Sequence, residues 1–151
     1  MRASGLKSFH FISRIGGQTS LTTILIVLLI PSVFAQTDFS AFWKKFSYAV
    51  IADEKATVAE MTKFPLSMPY GVKAVKDKED FLRRYNEIFN GEANATQCFR
   101  SAEPQKESAW RYEIYCPFKE NPDDKENAPI RFIFELTKSG WKFAGLDNIN
   151  E

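Results

Sequence analysis

The side chains able to do chemistry in this 151-residue chain are few. Asp53 and Asp147 are carboxylic acids whose pKa burial can raise into the range of a general acid or base, and Tyr48 and Tyr85 are hydroxyls that could assist them. Trp110 and Trp141 are broad apolar surfaces able to line a cavity around such a pair. Each also has a structural reading. Asp53 suits a helix cap, Asp147 beside Asn148 suits a strand end, and the two tyrosines can pack with their hydroxyls at the surface. The two tryptophans can serve as core. Arg83 and Arg84 could hold an anion, but adjacent helical residues point in different directions, and solvated charges are the default.

Histidine is scarce: His10 is the only one, and it lies in an N-terminal segment with the character of an export signal. Arg2, Lys7 and Arg14 are the only charges before Asp38, an apolar run Ile24–Ile30 follows, and Val33-Phe34-Ala35 presents a cleavage site after Ala35. The apolar stretch 21–35 is shorter than the roughly 20 residues that span a bilayer, so residues 1–35 are expected to be removed as a signal peptide, leaving no stable membrane anchor. A retained anchor is the alternative. Removal takes His10 away and with it any Ser-His-Asp or Cys-His system, a histidine base and a conventional zinc site. No metal or cofactor is expected. The remaining 36–151 is read as a single domain carrying 17 basic and 19 acidic residues, a formal charge of −2. That balance argues against nucleic acid as a partner. The protein is expected in the periplasm or outside the cell.

Cys98 and Cys116 are an even pair in an oxidising compartment and are expected to form a disulfide. The segment 95–102 and the segment 110–117 read as a hairpin whose turn centres on residue 107, a register that sets the two cysteines opposite each other. A free core thiol or a catalytic cysteine is the rival reading, the latter without a histidine to activate it. Asn94-Ala95-Thr96 fits a glycosylation sequon, meaningful only in a eukaryotic secretory pathway.

Hydrophobic periodicity supplies the elements that position these residues. Phe39, Phe42, Trp43, Phe46, Ala49 and Val50 recur at spacings of three and four, predicting a helix over 38–52 capped by Asp38. A second helix is expected from Asp53 to Phe64, ended by Pro65, then a short extended piece. Asp77 caps a third, with Phe81, Leu82, Tyr85, Ile88 and Phe89 on one stripe and Gly91 as the stop. Beyond Gly91 the period becomes two. Trp110, Tyr112, Ile114 and Cys116 alternate with Arg111, Glu113 and Tyr115, and Ile130, Phe132, Phe134 and Leu136 with Arg131, Ile133 and Glu135. A polar loop over 119–127 separates them, and Lys138-Ser139-Gly140 turns the chain into a last strand through Trp141 and Phe143. Fourteen phenylalanines predict an aromatic interior. The fold class is α+β: N-terminal helices packed on a curved antiparallel sheet.

That order, with "FPL" after the first helices, "KDKEDFLRRYNEIF" in the third helix and "GWKFAGLDNINE" at the end, resembles the nuclear transport factor 2-like superfamily, cone-shaped folds also described as cystatin-like. A cystatin-like or lipocalin-like module is the runner-up. The resemblance would cover most of 38–150 and implies a cone that often holds a small molecule. Some members are isomerases, dehydratases or hydrolases, and others only bind, dimerise or pair with proteins. Dehydratase-type members use a histidine with an acidic partner, which this chain lacks after residue 35. Isomerase-type members use a carboxylate base with a tyrosine and a protonated acid, for which Tyr48, Tyr85, Asp53 and Asp147 are the available residues. Three functions stay open: a non-catalytic exported binding module holding a small ligand or protein partner in the cone or on the sheet face, an isomerase or lyase without histidine or metal, and a structural envelope protein. An inhibitor or immunity-like role is a special case of the first, with Asp123-Asp124 and Glu126 as an acidic patch. A homodimer also stays open, and the structural reading expects no pocket and self-association through the sheet.

Overall fold

Phe46 occupies the middle of α1 (Phe39–Ile51) and touches most of what holds the molecule together. Its ring lies 5.0 Å from Phe134, 5.5 Å from Phe143 and 6.3 Å from both Phe89 and Phe99. The computed structural model describes residues 38–69, 71–124 and 128–150. The expected signal peptide, with its cleavage after Ala35, lies outside them. Asp38 accepts the Ser40 N–H at 2.9 Å and starts α1 as expected. Phe39, Phe46, Ala49 and Val50 form the buried face.

The second helix is shorter than its apolar pattern suggests. α2 spans Lys55–Glu60, and Asp53 does not cap it; Asp53 sits in the α1–α2 connection with a left-handed φ of 56°, which Asp tolerates better than most residues. The chain leaves the helix at Met61 and enters β1 (Thr62–Ser67). Pro65 is therefore a strand residue, not a helix stop. It is accommodated because β1 is an edge strand whose pairing with β5 is irregular between Thr62 and Ser67, so no regular ladder bond needs its missing N–H. The Phe64–Pro65 peptide is cis.

α3 (Lys78–Asn90) follows expectation at both ends. Asp77 accepts the Asp80 N–H at 2.9 Å, and a Cβ at Gly91 would run into the Glu87 carbonyl oxygen. Phe81, Tyr85, Ile88 and Phe89 are buried, but Leu82 lies off that stripe and is 38% exposed. Arg83 pairs with Glu79 and Asp80, and Arg84 with Glu87, so neither is held free for an anion.

The segment expected as the first hairpin strand is instead α4 (Ala95–Cys98). Asn94 accepts the Gln97 N–H at 3.1 Å, and Ala95 and Phe99, four apart, both turn into the core. A side-chain cap and an i,i+4 apolar pair make a helical turn of a stretch too short for period counting. The hairpin partner is β2 (Gln105–Ser108), paired with β3 (Arg111–Cys116) so that Gln105 faces Glu113. Trp110 falls in the turn between them and is 65% exposed, not core.

β4 (Ile130–Thr137) and β5 (Gly140–Asn148) complete a five-stranded sheet in the order β1-β5-β4-β3-β2. It is mixed: the pairs β2/β3, β3/β4 and β4/β5 are antiparallel, and β1 runs parallel to β5. Gly140 takes φ 96° in the tight β4–β5 turn. Ile133 pairs with Gly145 but Phe134 with Phe143, leaving Ala144 as a bulge that bends the strands. The sheet's inner face presents Ile114, Cys116, Ile130, Phe132, Phe134, Trp141, Phe143 and Leu146 to the helices. The architecture is α+β, helices packed on a sheet, the class expected.

Asp80 gives an acid test of α3. The Lys76 backbone N–H, which its carboxylate accepts at 3.0 Å, and then the charges of Arg83 and Arg84 hold its pKa below the ordinary aspartate value. A depressed folded-state pKa adds stability in full above the unfolded value of about 3.9, and this is lost as pH falls through the folded pKa. Urea midpoints should drop from pH 7 to pH 3, and Asp80→Asn should flatten part of that drop. Identical pH profiles for the two proteins would exclude Asp80 as a contributor.

Candidate functional site

Three places could carry function: the interior between helices and sheet, the outer face of the sheet, and a surface cavity beside the cysteines.

The interior is filled by rings. Phe89 stacks on Phe132 at 5.9 Å and lies 5.6 Å from Phe143, Phe99 meets Phe132 edge-on at 4.9 Å, and Trp43 meets Phe99 at 4.9 Å. Trp141, 4% exposed, packs edge-on against Phe39 at 5.0 Å and Tyr112 at 5.3 Å, and so belongs to this packing.

Tyr85 is also buried here, between Phe81 at 5.8 Å and Phe89 at 4.7 Å, and its hydroxyl has no hydrogen-bond partner among the described residues. That differs from a tyrosine with its hydroxyl at the surface; the α3 stripe turns the whole side chain inward. Burial, and then the negative charge of Asp53, push its pKa well above the ordinary phenol value, so it stays neutral. Asp53 itself is exposed and 3.5 Å from Lys55, whose ammonium lies 5.3 Å from the Tyr85 ring centre. Of the six residues considered for a pocket, this brings Tyr85 and Asp53 into one neighbourhood. Tyr48 is 65% exposed on α1 and Trp110 is exposed in the β2–β3 turn. Asp147 is near the end of β5 on the other side of the sheet, paired with Arg131.

Asp147 belongs to a network that its sequence position did not reveal. On the outer face Glu113 is 3% exposed and accepts Arg111 Nε at 2.7 Å and the Tyr115 hydroxyl at 2.7 Å, with Arg131 Nη1 3.6 Å away. Register makes this possible: Tyr115 faces Arg131, which faces Asp147, while Glu113 lies one pleat along. Pairing with Asp147 raises the Arg131 pKa, and burial followed by the bond to Glu113 raises that of Tyr115. The charge and lone pairs of the Glu113 carboxylate are met in place by a guanidinium and a phenol hydroxyl. The alternation Arg111-Glu113-Tyr115 was visible in sequence; which strand would face it was not.

The cavity opens where α4 meets the end of β3. The disulfide joins Cys98 on α4 to Cys116 on β3, with Cα atoms 5.8 Å apart, so the expected pairing is correct although the hairpin register invoked for it is not. Asn94, Gln97, Cys98 and Ser101 form one wall and Tyr115, Pro117 and Phe118 the other, with Pro122, Asp123 and Ala128 along the rim. The space is about 340 Å³. The sequon residue Asn94 lines it while its side-chain Oδ1 accepts the Gln97 N–H and caps α4. A second, shallower depression lies over Lys63, Lys138 and Lys142, where Lys63 already pairs with Glu135 and Lys142 donates to the Glu60 carbonyl. Among the described residues no group of histidine, cysteine and carboxylate side chains could hold a metal ion, and no helix is long and apolar enough to cross a membrane.

The chain matches no family model, and no curated protein matches it. Among solved structures it is similar to a domain of unknown function with a cystatin-like fold from Nostoc punctiforme, at 12% identity over 75% of each chain with a TM-score of 0.41. A putative ketosteroid isomerase from Shewanella frigidimarina is 9% identical over 77% of this chain and 96% of its own, TM-score 0.40. A hexachlorocyclohexane dehydrochlorinase from Novosphingobium barchaimii is 12% identical over 72% and 81%, TM-score 0.37.

Two stability outcomes follow from this geometry. Replacing both cysteines with serine should cost about 3 kcal/mol, the loop-closure value for a bridge of this span, read by urea unfolding; an unchanged midpoint would mean the bridge adds nothing. Tyr85→Phe should be neutral or stabilising by about 1 kcal/mol, because it removes a buried hydroxyl without a partner. A loss above that size would show the hydroxyl to be bonded.

Proposed function

We propose that the protein is a non-catalytic exported binding module of one domain that engages its partner through the cavity between α4 and the end of β3. The observation that carries this reading is the packing around Phe46: rings occupy the space that a cone-bound ligand would need, whereas the cavity beside the disulfide is open to solvent. The disulfide itself supports residence in an oxidising compartment. The isomerase or lyase reading rests on Tyr85 and Asp53, and it would need a substrate against a hydroxyl that Phe81 and Phe89 enclose. Charges on the outer sheet face are paired within one chain, which supports the cavity over that face as the contact surface.

A fragment screen followed by amide chemical shifts tests this. Hits are expected to move the amides of 94–102 and 115–118, and to be lost in Ser101→Trp, which fills the cavity. Hits that shift Tyr85, Phe89 and Phe143 instead would overturn the reading in favour of an interior pocket.

A further inference from the structure

Two of the large apolar side chains that the described residues expose are neighbours. Trp110 is 65% exposed in the β2–β3 turn, and its carbonyl accepts the Leu136 N–H at 2.9 Å; Leu136, near the end of β4, is 36% exposed. The pair prolongs the end of the sheet where Tyr112 and Trp141 pack on Phe39: Trp110 is two residues before Tyr112, and Leu136 pairs with Trp141. Cys116 and the α4–β3 cavity are at the other end of β3, about 20 Å along the strand.

The chain enters the domain at the Trp110 end. Phe39, the first residue of α1, stacks on Tyr112 at 3.9 Å and meets Trp141 edge-on at 5.0 Å. N-terminal to it in the sequence is the apolar run Ile24–Ile30, a type of segment that export delivers to a bilayer whether it is then cut or kept. Lys138 in the β4–β5 turn and Lys106, opposite Tyr112 on β2, are exposed at this end, and Lys63 and Lys142 line the depression beside Lys138. Of the acids here, Asp38 caps α1, Glu135 pairs with Lys63 and Glu107 is exposed. Residues 1–37 contribute Arg2, Lys7 and Arg14 and no acid.

We infer that this end of the domain rests on a phospholipid bilayer, with Trp110 and Leu136 in the interfacial layer. An indole is an apolar plate with one N–H donor and favours the boundary between acyl chains and headgroups, while lysine stems let their ammonium groups reach lipid phosphates. A bilayer accounts for two observations together: an apolar pair left in water, and its position where the chain from the apolar run joins the fold. Few side chains take part, so the contact is reversible. It leaves the α4–β3 cavity directed away from the lipid.

Vesicles of equal parts phosphatidylglycerol and brominated phosphatidylcholine test this by tryptophan quenching on the protein recovered after export. Trp141 is buried and Trp43 is packed against the core, so the quenched emission is expected to be that of Trp110 and to vanish in Trp110→Phe. Quenching reports on Trp110 whether or not residues 1–35 remain attached. In cosedimentation of the processed protein, Trp110→Ser should weaken binding about tenfold and Lys138→Gln about fivefold at low salt. Leu136→Ser, which keeps the Trp110 reporter, should also weaken it and serves if Trp110→Ser fails to fold by circular dichroism. Tyr48→Ser, equally exposed at 65% but nine residues along α1 from Phe39, should change nothing. Binding without quenching of Trp110, or no binding, would overturn the inference. So would Trp110 emission already blue-shifted without lipid, which would mean that residues 1–35 or a second copy of the chain covers the pair.

Discussion

The contact of the Phe46 ring with Phe134 and Phe143 is the constraint on which the rest of the structure depends. It fixes α1 against the middle of the sheet, and the same ring reaches Phe89 on α3 and Phe99 after α4. Each buried aromatic side chain removes a large apolar area from water, and edge-on and tilted pairs add to that burial. Phe81, Phe89, Phe132, Phe134 and Phe143 are all fully buried in the same cluster. A sheet lined with smaller side chains could leave space beneath the helices; rings at these separations fill it.

The opposite side of the sheet solves a different problem. Glu113 is nearly inaccessible to water, and an unpaired carboxylate there would be expensive. Arg111, Arg131 and the Tyr115 hydroxyl answer its charge and lone pairs, and Arg131 is shared with Asp147 on β5. The network therefore ties β3, β4 and β5 across the face opposite the described helices. It also explains why Asp147, attractive as a catalytic acid, is occupied: its partner is a guanidinium on the neighbouring strand.

The disulfide and the cavity are parts of one arrangement. α4 is only four residues long and would not persist alone. Asn94 caps it, Phe99 anchors it in the core, and Cys98 bonds it to β3. Those three ties set the distance between the two walls, and the open volume between them is what remains when a rigid helical turn is held beside a strand end.

Much of this was legible in the chain itself. The caps at Asp38 and Asp77, the helical stripes of α1 and α3, the alternation in β3 and β4, the Gly140 turn and the cysteine pair are local or compositional signals, and each is set by backbone hydrogen bonding or side-chain period within a few residues. What failed were choices between local preferences that only long-range contact can make. The apolar pattern running to Phe64 is equally good for a helix and for an edge strand, and pairing with β5 made it β1. Cys98 is bridged as expected, but from a helical turn, because the Asn94 cap and the burial of Phe99 outweigh strand propensity. Trp110 continues an alternating pattern by one residue into a turn, where no partner strand or helix buries it. The fate of Asp53, Tyr85 and Asp147 could not be read at all from their types. Whether a carboxylate is a base, a surface charge or half of an ion pair depends on its dielectric surroundings and neighbours, and those come from chain segments tens of residues away.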